Sequence, residues 1–156
     1  MSNSAYLPRE IFATVVRHTP LVSIDLVVRD ASGRMLVGWG RNRPARESWF
    51  VPGARIAKDE SLDAAFRRIS HAELGRVIER VNSRFLGVFE HLYDDNFSAD
   101  ASFGTHYVVL AHELKIASAA DLPLPRDQHA EYVWLTDAEA LARVDVHPNT
   151  RAYCSL

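Results

Sequence analysis

The strongest constraint on this chain is a loop that runs into an amphipathic helix between Gly53 and Gly75. From Ser61 to Leu74 the apolar residues Leu62, Ala65, Phe66 and Ile69 recur at intervals of three and four, which predicts a helix with one buried stripe. Ser61 can cap its start, and Gly75 can close it in a left-handed turn. Glu73, four residues after Ile69, falls at the edge of that stripe, where its carboxylate can point beneath the preceding loop. A rigid carboxylate facing loop carbonyls suits a hard cation such as Mg²⁺, which takes oxygen ligands and shares them with phosphates.

The segments around this helix read mostly as strands. Pro8-Arg9-Glu10 with Ile11, Val15 and Val16 predicts a short N-terminal helix that stops before Pro20. Leu21 to Asp30, the turn Ala31 to Arg34 and Met35 to Val37 read as a hairpin. Trp49 to Val51 is a short extended piece, kept so by Pro52. Arg84 to Tyr93, Thr105 to Leu114 and Glu131 to Leu135 read as further strands, and Thr136 to Glu139 as a capping box opening a second helix. Several strands with one long helix embedded among them imply an α+β fold with a mixed sheet.

Composition narrows the partners. With 156 residues, 47% hydrophobic and 24% charged, the chain suits a single domain, 1–156, around one core. A net charge of -2 without blocks of like charge argues against nucleic acid and membrane surfaces. A small polyanion would need local arginines instead. The lone cysteine, Cys154, excludes an internal disulfide and fits a reducing compartment. No apolar signal core lies in the first thirty residues, so a cytoplasmic location is the expectation.

Glu60, Arg68, Glu73 and Gly75 stand in register with the Nudix box, and the segment 53–76 resembles it. Ala54 occupies the box glycine position, preceded by Gly53. Ile69 and Ala72 replace two box glutamates, and Ser70 and Arg76 replace aliphatics. Those glutamates normally assemble metals that help water attack phosphorus, so a cluster of several metals is not expected here. One cation could still neutralise a diphosphate leaving group. That departure is similar to the one in GDP-mannose mannosyl hydrolases, and the similarity extends over nearly the whole chain. It includes Trp49-Phe50-Val51-Pro52-Gly53, Asn42-Arg43-Pro44-Ala45, Tyr93-Asp94-Asp95-Asn96-Phe97-Ser98, Asp127-Gln128-His129 and Arg151-Ala152-Tyr153.

The resemblance implies a Nudix α/β/α sandwich with a central mixed β-sheet, acting as a homodimer. The implied reaction is that of a glycosidase: Mg²⁺-dependent hydrolysis of GDP-mannose, or GDP-glucose, to GDP and free sugar, with inversion at the anomeric carbon. It implies one Mg²⁺ per site, held by the Gly53 carbonyl, Glu73 and Gln128. His129 would be the general base, a role that suits an imidazole because its ordinary pKa is about 6.5. Arg55 would contact the diphosphate, with Tyr107 and His91 as further polar contacts. Asp25 would stand beside the sugar, stabilising positive charge there.

From the residues alone, Asp25 in its apolar strand must be paired, face a polar cavity, or lie on an exposed face. Gly40 departs from the closest pattern, which places a diphosphate-contacting arginine there. Either a glycine-permitted bulge brings Arg41 to the substrate, or that contact is missing. The rival functions are cleavage of another nucleotide sugar at phosphorus, and nucleotide-sugar binding with little turnover.

Overall fold

The computed structural model describes residues 6–127, 129–154 and 156. The chain opens with α1 (Arg9–His18), which ends where Thr19 turns extended ahead of Pro20. Among the described residues seven strands follow, interrupted by one long helix: β1 (Leu21–Arg29), β2 (Met35–Gly40), β3 (Trp49–Phe50), β4 (Gly53–Arg55), α2 (Leu62–Leu74), β5 (Arg84–Tyr93), β6 (Thr105–Lys115) and β7 (His129–Leu135). Two short helices, α3 (Asp137–Ala142) and α4 (Pro148–Arg151), complete it.

The strands form one mixed sheet in the order β3-β2-β1-β6-β5, with β4 on β1 and β7 on β2. β1 and β6 are parallel, and the other pairs are antiparallel. Alternation along β1 divides the core. Ile24, Leu26 and Val28 pack with Ala65, Phe66, Ile69 and Leu74 of α2. Val27 faces the other way, onto Ala140, Val146, Tyr153 and Cys154 of the C-terminal segment. Helices therefore cover both faces, which is why β1 reads as a near-continuous apolar run. Burying Phe66 and Ile69, both fully inaccessible, stabilises this packing by about 1.5–3 kcal/mol each.

α2 is bounded as its sequence requires. The Ser61 hydroxyl accepts from the Ala64 amide at 3.1 Å, and Gly75 ends the helix at φ 75°. Gly75 has a second reason to lack a side chain, since a Cβ there would meet the Pro123 carbonyl oxygen at 2.1 Å.

The predicted hairpin needs correction. β1 and β2 pair at Arg29↔Met35 and then diverge; β2 continues along β7, and β1 along β6. The space they vacate admits β4, which pairs with β1 through Ser23↔Arg55 and Asp25↔Gly53. Two backbone bonds frame it, from Leu26 N to Pro52 O at 2.8 Å and from Ile56 N to Val22 O at 2.7 Å. A turn signal fixes the chain reversal but says nothing of a third strand entering from elsewhere. No described helix is long and apolar enough to cross a membrane.

Candidate active site

The splay of β1 and β2 creates the site. β4 alternates as a strand should, so Ala54 packs into the α2 core while Gly53 and Arg55 face a cavity of about 190 Å³. Asp25, His91 and Tyr107 line the same cavity, His91 and Tyr107 being cross-strand partners. Five of the residues singled out from the sequence thus meet across four strands. Gly53 must be glycine, because a Cβ would lie 2.5 Å from Asp25 Oδ1 and 2.6 Å from the Ile24 carbonyl.

Asp25 is half-buried and lies on the face opposite α2, where Tyr153 donates its hydroxyl to Oδ2 at 2.6 Å. It is paired and faces a polar cavity, so the exposed-face alternative does not hold. Burial pushes its carboxyl up to about 7; the Tyr153 hydrogen bond opposes this and the charge of Glu73 adds to it. His91 is buried, with Nε2 3.4 Å from the same Tyr153 hydroxyl, and burial with nearby His147 lowers its pKa to about 4. Burial also lowers the Arg55 pKa, and its guanidinium lies 4.6 Å from the centroid of the Phe12 ring in α1.

Glu73 and His129 form a second group on the α2 side of the sheet. Their side chains are each 2% exposed, and His129 Nε2 lies 3.8 Å from Glu73 Oε2. A β-bulge places His129 there. β2 and β7 pair regularly from Met35↔Leu135 to Gly38↔Tyr132, but the next pair is Gly40↔His129. The extra residue lies in β7, opposite the glycines, and it turns His129 onto the face that carries Glu73. Gly38 makes room: a Cβ there would meet His129 Nδ1 at 2.3 Å. Neither Glu73 nor His129 lines the cavity, although Phe50, whose ring centroid is 4.9 Å from that of His129, does.

Glu73 Oε1 is buried and has no hydrogen-bond partner. A buried acceptor left so costs about 1–3 kcal/mol, and more when charged, so it fits a cation ligand. Ile69 is in the core and Ala72 is exposed, so neither position supplies a further oxygen. Among the described residues no cluster of three or more His, Cys, Asp or Glu could hold a metal, and Gln128 lies outside them.

The box loop is clamped from within. Arg68 donates to Glu60 at 2.7 and 3.0 Å and to the Arg55 carbonyl at 2.9 Å, while Glu60 also accepts from the Ala57 amide at 2.9 Å. Matched segments elsewhere also touch. Arg43 donates to Asp95 at 2.6 Å, and buried Asn96 ties its loop to the Asp100 and Phe103 carbonyls. Arg41 is exposed and is not part of the cavity wall, whereas Arg43 is.

Residues not anticipated from the sequence complete the wall. Phe50, Tyr93, His147, Asn149 and Thr150 line it, the last three from the start of α4. Pro148 at the first helical position was the available signal for that helix. Nothing local shows that it closes over Tyr107 and other wall residues forty or more positions away.

A family model described as the NUDIX domain matches residues 19–154. The low-salt glycan biosynthesis protein Agl8 of Haloferax volcanii is 40% identical over 110 residues, 70% of this chain and 68% of that protein. Among solved structures, a MutT NUDIX hydrolase from Burkholderia pseudomallei superposes with a TM-score of 0.68 at 23% identity, covering 86% of this chain and 95% of that one. The NUDIX domain of Shewanella oneidensis NrtR, complexed with ADP ribose, gives 0.62 at 16% identity, covering 94% of each. With its box helix, mixed sheet and flanking helices, the chain belongs to the Nudix hydrolase family.

Proposed function

We propose that this protein hydrolyses GDP-mannose to GDP and mannose, by attack of water at the anomeric carbon with inversion. The observation that carries this reading is the reduced box: Glu73 is the one buried carboxylate of the box helix, because positions 69 and 72 are Ile and Ala, while Glu60 is taken up by Arg68. A single carboxylate suits neutralisation of a leaving group better than assembly of the several metals that activate water at phosphorus. The glycan-biosynthesis relative supports a nucleotide-sugar substrate.

Mg²⁺ would be held by Glu73, the Gly53 carbonyl and Gln128, and would supply charge neutralisation at the diphosphate. The residues of the chain do the rest. Arg55 pairs with the phosphate oxygens, where a planar guanidinium fork fits well. Asp25, at the cavity wall, places negative charge, once ionised above about pH 7, beside a sugar carbon that becomes cationic. His129 takes the proton of the attacking water. Direct displacement from the face opposite the diphosphate inverts the configuration.

Nucleotide-sugar binding with little turnover is the second reading, favoured by the burial of His129 behind Phe50. One experiment separates the readings. The protein is incubated with Mg²⁺ and a panel of nucleotide sugars in isotopically labelled water. GDP plus labelled sugar supports attack at carbon. GMP plus sugar phosphate moves the reaction to phosphorus, and tight binding without products leaves a binding protein.

A further inference from the structure

We propose that Asn149 is a specificity-determining residue, donating its side-chain amide to a sugar hydroxyl of the bound nucleotide sugar. This rests on the nucleotide-sugar reading above, though not on which bond is cut.

Asn149 lines the cavity, and its Nδ2 is buried without a hydrogen-bond partner. Buried amide donors are nearly always satisfied, so one aimed into a cavity is a vacancy for a ligand acceptor. The helix cap makes no use of this side chain: the Asn149 backbone amide is satisfied by His147 Nδ1 at 3.1 Å. The side-chain amide is close enough to the Tyr93 phenol to lower its pKa against the rise that burial causes, but closes no hydrogen bond with it, and the Tyr93 ring packs 5.3 Å from that of His147.

The chemistry of this corner selects the ligand part. Arg43 and Arg55 supply the cationic wall suited to phosphate, whereas Tyr93 and Asn149 are neutral, and burial holds neighbouring His91 uncharged at neutral pH. Neutral donors with an aromatic face match hydroxyls and the C–H faces of a sugar. Asp25 in the same cavity provides an acceptor, so one hydroxyl can donate to it while accepting from Asn149. At about 190 Å³ the cavity is below the roughly 300–1,000 Å³ that enclose drug-sized ligands, so it takes one ring of a larger molecule.

The test is the ratio of affinities for GDP-mannose and GDP in Mg²⁺, measured by calorimetry on the wild type, Asn149→Ala and Asn149→Leu. The second variant keeps roughly the side-chain shape, removes the donor and adds no charge, so it carries the test if the alanine variant folds poorly. The ratio should fall about fivefold in both, with GDP affinity unchanged. An unchanged ratio, equal losses for GDP and GDP-mannose, or a wild type that binds both alike would each overturn the proposal. Product analysis on the wild type judges the proposed reaction separately, since sugar recognition survives a change of cleaved bond.

Discussion

His129 Nε2 sits 3.8 Å from Glu73 Oε2 in the interior, and the far atoms of the pair, His129 Nδ1 and Glu73 Oε1, have no hydrogen-bond partner. Two unsatisfied polar atoms in one buried pair cost stability, and such strain persists where ligands satisfy it. His129→Gln and Glu73→Gln should therefore fold with melting temperatures at or above that of the wild type. Turnover of GDP-mannose should fall roughly 10²–10⁴-fold for His129→Gln. Steady-state rates beside thermal melts check this, and near-normal turnover in His129→Gln assigns the base elsewhere.

The Glu60–Arg68 clamp predicts the opposite pattern. Arg68 bridges the helix to both ends of the box loop, with side-chain exposures of 30% for Arg68 and 12% for Glu60. Arg68→Ala should destabilise the protein by about 1–3 kcal/mol, as expected for charge-assisted hydrogen bonds lost from a partly buried carboxylate. Arg68→Lys should recover little, because an ammonium cannot span Glu60 and the Arg55 carbonyl together. Urea unfolding measures both, and full stability in the lysine variant would show that charge alone suffices.

Local signals made the helix, its caps and most strands legible, because periodicity, Ser61 and Gly75 act within a few residues. The box register likewise led to Glu73, Gly53 and Arg55. What stayed hidden depends on partners distant in sequence. The insertion of β4 beside Asp25 follows from two strands diverging, and the turn of His129 toward Glu73 follows from one extra residue in β7. Tyr153 reaches Asp25 across 128 positions. Its segment was matched in sequence, but no spacing rule links a C-terminal tyrosine to the first strand.

The raised pKa of Asp25 gives a pH test. An unburied aspartate ionises near 3.8, whereas folded Asp25 keeps its proton to about 7. Its contribution to stability is thus fully present below about 4 and is lost as pH rises to 7, where folding must bury a charge. Asp25→Asn removes that dependence while keeping an acceptor for Tyr153. With a chelator present, the variant should match the wild type near pH 4 and exceed it at pH 8, on the order of a few kcal/mol. Parallel stability curves across this range would place the ionisation of Asp25 outside it.

Gly40 is where the matched pattern has an arginine, and the structure decides against a simple vacancy. A Cβ at Gly40 would lie 2.4 Å from Phe50 Cε1 and 2.5 Å from the Ala45 carbonyl. The backbone there is also fixed on both sides, by Gly40 N to Ser48 O at 3.0 Å and Glu47 N to Gly40 O at 3.1 Å. Gly40→Arg must therefore displace Phe50 or the 41–48 loop, at a cost of about 1–3 kcal/mol for overpacking. Because Phe50 packs on His129, turnover should fall rather than rise. The bulge does not rescue Arg41 either, since the extra residue is in β7 and Arg41 remains exposed outside the cavity wall. Arg43 is the cation that this loop offers. Arg43→Ala should weaken GDP binding by roughly five- to tenfold, while Arg41→Ala should leave it nearly unchanged. Titration calorimetry with GDP on the three variants checks the assignment. A Gly40→Arg protein that is equally stable and turns over faster would show that the position is an arginine slot after all, and a loss on Arg41→Ala equal to that on Arg43→Ala would place both cations at the phosphates.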